Sequence, residues 1–161
     1  MKCQLRSLSL ILFVSATATA QAPATLTVIV DGVPKTVSAS SVQHMPRDTV
    51  TMVFHEQPPV RYHGVSLAAV LKSAGVRTDS LRGPALATRL VVEASDGYRI
   101  VLALSDLDPS LGAKRVLLAD RVYGKPLPAD EAPRRLIIPG GQRPARSARQ
   151  VVTIRVIAES R

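Results

Sequence analysis

Cysteine is almost absent from this chain. Cys3 is the only one in 161 residues, and it lies ahead of the apolar run Leu8–Val14. A chain cut after that run would carry no disulfide, no thiolate nucleophile and no cysteine metal ligand. Aromatic residues are nearly as scarce, at 3%, with no tryptophan. Beyond residue 20 only Phe54, Tyr62, Tyr98 and Tyr123 remain. Proteins that bind single-stranded nucleic acid stack bases on such rings, so the expectation is no nucleic-acid partner. A bilayer-spanning helix needs about 20 apolar residues, and nothing after residue 20 approaches that length. The nucleophile elbow Gly-x-Ser-x-Gly and the glycine loops that cradle nucleotide phosphates are also missing.

The first twenty residues have the parts of a secretory signal peptide. Lys2 and Arg6 give a positive start, Leu8, Leu10, Ile11, Leu12, Phe13 and Val14 an apolar centre, and Ala18-Thr19-Ala20 a small-residue cleavage site. The alternative, a membrane anchor, is disfavoured by the shortness of the run. The expectation is cleavage near Ala20 and a periplasmic or secreted protein with no transmembrane segment. Residues 21–24 then form a short linker, and residues 25–161 a single domain large enough for a core. Formal charge is +9, and losing Lys2 and Arg6 leaves +7. Such a surface attracts anions, although a solvated basic face accounts for it equally well.

Strand signals dominate the remainder. Thr25 to Val30 is apolar and β-branched, and Asp31-Gly32 turns it back into Val33–Val37, weakened by Pro34. Thr49 to Phe54 is a further strand. Ser66 caps one clear helix, with Leu67, Val70, Leu71 and Ala74 at helical spacing and Gly75 as the stop. Leu90–Ala94 and Tyr98–Leu104 flank Ser95-Asp96-Gly97 as a hairpin. Residues 105–109 read as a turn or short helix. Val116–Ala119, Leu136–Ile138 and Val151–Ala158 complete the strands, and Gly124 to Pro133 is loop-like. Many short strands and one good helix give a β-rich α+β domain.

Catalytic constellations are weak. His44, His55 and His63 lack the spacing of a metal site. Asp106, Asp108, Asp130 and Glu131 supply carboxylates that nothing in the sequence pairs.

Five segments, in order, resemble the small sulfite-oxidase-type molybdopterin-binding domains. They are Tyr62-His63-Gly64-Val65-Ser66-Leu67 with Ala74-Gly75-Val76; Ala94-Ser95-Asp96-Gly97-Tyr98; Leu117-Leu118-Ala119 with Gly124-Lys125-Pro126-Leu127-Pro128; Pro133-Arg134-Arg135-Leu136-Ile137-Ile138-Pro139-Gly140; and Ser147-Ala148-Arg149-Gln150-Val151. The resemblance covers residues Thr25 to Ile157. It implies a minimal single-domain version of that fold and a pocket for a pterin phosphate beside a molybdenum held by cysteine.

The anion-holding part of that pocket is represented. Arg149 stands at the family's lysine, Arg135 at its arginine, and Arg143 and Arg146 lie nearby. Planar guanidinium groups suit phosphate. Gly140 and Gly141 would let backbone amides approach an anion, and Tyr98 would border the pocket. The same arginines could instead make structural hydrogen bonds, and Tyr98 could be an ordinary half-buried strand residue.

The metal-holding part is not represented. The family's cysteine falls within Thr51-Met52-Val53-Phe54, its loop histidine at about Asp130, and its tryptophan at Gln150. Family members loaded with cofactor are exported folded behind a twin-arginine signal, whereas Lys2 and Arg6 are separated. The expectation is therefore a non-catalytic domain without metal or cofactor, which binds a small anionic ligand or a periplasmic protein partner through Gly140–Arg149. The alternative is a molybdopterin-dependent oxidoreductase whose metal is held by a non-cysteine or partner-supplied ligand.

Overall fold

A computed structural model of the chain describes residues 25–53, 58–140 and 144–158. Within the described residues, ten strands and two short helices alternate with short stretches of 3-10 helix. The strands are β1 (Leu26–Val30), β2 (Val33–Val37), β3 (Arg47–Met52), β4 (Val60–Ser66), β5 (Arg89–Ala94), β6 (Arg99–Ala103), β7 (Leu117–Val122), β8 (Lys125–Pro126), β9 (Arg135–Ile137) and β10 (Val151–Ile157). The helices are α1 (Ala39–Gln43) and α2 (Leu67–Ser73).

One sheet runs β2-β1-β10-β5-β6. Within it β1 and β10 pair in parallel, Val28 opposite Ile154, so the first and last strands lie side by side. The other sheet runs β3-β4-β7-β8, with β9 also on β7. Both hairpins of the first sheet follow their turn chemistry: Asp31-Gly32 and Asp96-Gly97 place Gly32 and Gly97 at positive φ, the conformation glycine adopts without penalty. Pro34 is tolerated because β2 is an edge strand.

Helix α2 starts where Ser66 Oγ accepts the Ala69 amide at 3.0 Å. It ends in paired return bonds, Val76 N to Leu71 O and Gly75 N to Lys72 O, around left-handed Gly75. Lys35 Nζ reaches across from β2 to the Ala74 carbonyl at 2.7 Å, a cation on a helix C-terminus.

Two apolar clusters result. The larger joins the inner face of the first sheet (Leu26, Val28, Leu90, Val92, Ile154) to α2 (Leu67, Val70, Leu71) and to Val65, Leu118 and Leu136 of the second. The smaller lies on the other face of the second sheet and contains Val50, Met52, Tyr62, Leu117, Ala119, Leu127 and Ile137. Gly64 makes the β4–β7 pairing feasible. A Cβ there would sit 2.1 Å from the Leu118 carbonyl oxygen, and next to it the register shifts between His63 and Gly64.

The fold is the expected β-rich α+β class. Strand β4, helix α1 and the two-residue β8 are additions to the sequence reading. Residues 60–66 mix Arg, Tyr, His and Gly, and their strand form comes from pairing with β3 and β7 rather than from alternation.

Candidate functional site

The β5–β6 turn and the segment before β10 meet at one end of the first sheet. Asp96 Oδ1 accepts the Tyr98 amide at 2.9 Å and shapes the turn. Tyr98 then donates its hydroxyl to the Ala145 carbonyl at 2.6 Å and so ties the hairpin to the loop. Between them lies a cavity of about 240 Å³ lined by Asp96, Tyr98, Ala145, Ser147 and Arg149, among others. Small-molecule pockets typically enclose about 300–1,000 Å³, so this one suits a small ligand.

Of the candidate residues, the structure brings Tyr98 and Arg149 to this cavity. Arg146 is exposed at the end of the turn Pro144–Arg146 and is not among the lining residues. Gly140 is exposed just after β9 with φ +81°. Gly141 and Arg143 lie outside the described residues.

Arg135 is placed elsewhere. On β9 it stands opposite Ala119, and its side chain is 7% exposed. Its Nη1 donates to the Tyr62 hydroxyl at 2.9 Å and to the Glu131 carboxylate. The guanidinium also lies 5.3 Å from the Tyr62 ring centroid, within cation–π range. Burial raises the Tyr62 hydroxyl above the usual tyrosine range, outweighing the opposing charge of Arg135, so it remains a neutral acceptor for Arg135. Arg149 is exposed and pairs with Asp130 Oδ2 at 3.0 Å. The two arginines of interest thus meet successive carboxylates of one loop, Asp130 and Glu131.

Gln150 holds that loop against the hairpin. Its amide donates to the Glu131 carbonyl and its own carbonyl accepts the Ser95 amide. Its side chain accepts the Ser95 hydroxyl at 2.6 Å and donates to the Ala129 carbonyl at 3.3 Å. The resemblance marks this position only as the place of the family's tryptophan, and nothing local announces its bracing role, since a left-handed glutamine (φ +50°) violates local preference. The Glu131–Arg135 pairing had no such signal either, because the four-residue spacing of opposite charges is a helical cue and these residues run from a turn into β9.

Of the segment where the resemblance sets the cysteine, Thr51 is exposed, Met52 is buried in the smaller cluster, Val53 is exposed, and Phe54 lies outside the described residues, as does His55. His44 bonds the Ser40 carbonyl at 2.7 Å and His63 the Thr49 hydroxyl at 3.0 Å. Among the described residues no three of His, Cys, Asp and Glu cluster as metal ligands.

Comparison with known proteins gives two findings. The family described as oxidoreductase molybdopterin binding domain matches residues 17–161. Among solved structures, the chain is similar in fold to the sulfane dehydrogenase SoxCD from Paracoccus pantotrophus, with a TM-score of 0.63 and 18% identity, over 83% of this chain and 38% of that one. The chain therefore spans well under half the length of that relative. No curated protein matches the sequence.

Proposed function

The chain belongs to the oxidoreductase molybdopterin-binding domain family, and within it we propose a non-catalytic member, an exported binding protein that keeps the fold without the molybdenum chemistry. The observation that carries this reading is the pairing of two of the four candidate phosphate arginines, those at the family's own cation positions, with carboxylates of one loop. Arg135 meets Glu131 in a nearly buried pair, and Arg149 meets Asp130. In the resemblance that loop carries a histidine near Asp130; here it carries two negative charges. A pterin phosphate arriving there would face Asp130 and Glu131 and would have to displace both from their arginines.

The residues present therefore do not fit the group that the family's name implies. Arg135 is turned inward and already bonded at Nη1 to two neighbours. The cavity beside Arg149, about 240 Å³, lies below the usual range for a cofactor-sized ligand. The segment Thr51–Phe54 contains no residue able to supply a thiolate, and the Met52 thioether lies in an apolar cluster. A thioether is a soft but uncharged ligand and is no substitute for a thiolate.

What remains favourable is the exposed Arg149 beside Tyr98 and Ser147, with Arg146 nearby. An exposed ion pair such as Arg149–Asp130 contributes about 0–1 kcal/mol, so a small anion or an acidic surface of a periplasmic partner can compete for the guanidinium. Export by cleavage near Ala20 belongs to the same proposal, as does delivery in an unfolded, cofactor-free state.

Family membership itself favours a second reading, an oxidoreductase whose molybdenum is completed by a non-cysteine or partner-supplied ligand. Elemental analysis and pterin fluorescence on protein purified from its native host separate the two. The expected result is neither molybdenum nor pterin. Stoichiometric amounts of both would establish the second reading.

A further inference from the structure

The second sheet has one face on the smaller apolar cluster. Its other face continues beyond Val65 and Leu118 into open, polar surface. Directly opposed residues of a sheet project on the same side, and the register sets Thr49, His63 and Arg121 in one row and Thr51 and Arg61 in the next. Two adjoining cavities of about 420 and 600 Å³ share His63 and Gly124 and form one groove along these rows.

The groove has a built apolar wall. Tyr123 and Gly124, at φ +49° and +78°, form the turn between β7 and β8. Positive φ is uncommon for an aromatic residue, and two contacts hold it there. The Tyr123 amide donates to the Arg61 carbonyl and its hydroxyl to the Pro59 carbonyl at 2.8 Å. Tyr123 and Pro59 thus flank the Arg61 end.

Charge at the groove is mixed, but what is left uncompensated is positive. Its two carboxylates are already taken: Asp120 by Arg47 through both terminal nitrogens, and Asp48 by Arg115 at 2.5 Å. Arg61 and Arg121 have no carboxylate partner among the described residues. Among the described residues Arg121 makes a single long bond of 3.5 Å, to the Gly124 carbonyl. The two are diagonal neighbours across β4 and β7, where like charges repel. His63 lies beside them with its Nδ1 bonded to the Thr49 hydroxyl, and the two guanidinium groups present hydrogen-bond donors to one acceptor site.

We propose that this groove is a binding site for a small ligand bearing a tetrahedral oxyanion of the phosphate or sulfate type, held by Arg61, His63 and Arg121, with any organic part lying on Tyr123 and Pro59. Two forked guanidinium groups match such an oxyanion in charge and geometry. The site shares no residue with the Tyr98–Arg149 cavity and stands whether or not that cavity holds a cofactor.

The test is an amide-resolved NMR titration of the full chain with inorganic phosphate, sulfate, phenyl phosphate, and vesicles of phosphatidylglycerol or phosphatidylcholine. Saturable shifts at Arg61, His63 and Arg121 are expected. Arg61→Ala and Arg121→Ala should each weaken them about tenfold or more with an unchanged thermal transition, whereas Arg149→Ala should leave them intact. Tighter binding of phenyl phosphate than of phosphate would support a soluble phosphorylated or sulfated ligand. Binding confined to phosphatidylglycerol vesicles, and lost with Arg61→Ala, would support a lipid headgroup as the source. No saturable shift with any probe at millimolar concentration, or shifts indifferent to both groove substitutions, would overturn the proposal.

Discussion

Arg135 and Glu131 are joined through the same guanidinium nitrogen that reaches the Tyr62 hydroxyl, so one cation links β9, β4 and the loop before β9. Side-chain exposures of 7% and 12% put the pair almost out of water. Removing one member strands the other. Arg135→Met should therefore destabilise the domain by about 3–5 kcal/mol in urea denaturation, and Arg135→Met with Glu131→Leu should recover most of that loss, because replacing a whole buried pair by apolar groups is often close to neutral. A single variant as stable as the parent would show that the pair is dispensable and would weaken the case that this arginine is structural.

Gly64→Ala should be nearly as damaging by a different route. The added methyl would lie 2.1 Å from the Leu118 carbonyl oxygen and 2.6 Å from the Ala119 Cα, both of them backbone. Overpacking costs about 1–3 kcal/mol even where side chains can yield, and here strands β4 and β7 would have to part. A denaturation midpoint within error of the parent would mean that the two strands separate more easily than their register implies.

The sequence disclosed whatever local chemistry decides. The Asp31-Gly32 and Asp96-Gly97 turns, the Ser66 cap and the Gly75 stop each need only their own neighbours, and each lies where the pattern put it. Long-range pairings were not legible. Nothing in Leu26–Val30 announces that it lies parallel to Val151–Ile157, some 125 positions along the chain. The site divides in the same way. Tyr98 and Arg149 were found as motif members and do share a cavity. The residues that decide the character of Arg135 and Arg149, Asp130 and Glu131, were visible as carboxylates but not as partners, since pairing depends on how the loop folds back. His63 and Arg121 lie almost sixty residues apart and become neighbours only through the β4–β7 register.

Tyr98→Phe should loosen the loop without lowering global stability greatly. Its hydroxyl is the donor that binds the loop at the Ala145 carbonyl, 2.6 Å away. One such bond is worth about 0.5–1.5 kcal/mol, and the ring is half exposed. Faster hydrogen exchange confined to residues 145–149 is the expected signature. Unchanged exchange there would show that Gln150 and its contacts alone hold the segment.

Acid should destabilise the domain through particular carboxylates. Asp108 is buried. The Leu81 amide first, then the Ser110 hydroxyl, hold its carboxyl below the usual range against the opposing effect of burial. Glu93 is lowered chiefly by its hydrogen bond from Arg155. A lowered folded-state pKa means that the native state binds fewer protons than the unfolded chain, so stability rises with pH across that window. The contribution is fully present above about pH 4–5 and is lost as pH falls through the lowered values. Asp108→Asn should be less stable at neutral pH yet lose less on acidification. Parallel stability curves for parent and variant would remove Asp108 from this account.

Arg149 gives a prediction with two opposite arms. It is exposed and pairs with exposed Asp130 at 3.0 Å, a contact worth about 0–1 kcal/mol, so Arg149→Ala should leave the thermal transition almost unmoved. If the Tyr98–Arg149 cavity takes small anions, the same variant should weaken the phosphate-induced shifts of the Tyr98 and Ser147 amides, because the lining cation is gone. Asp130→Asn should do the reverse, since it releases the guanidinium from its competitor and removes a negative charge that an incoming anion meets. Weakening with the first and strengthening with the second, at constant stability, would assign the guanidinium to ligand binding. Identical titrations for the parent and both variants would make Arg149 a solvated surface residue, and a collapsed transition in Arg149→Ala would make it a structural one.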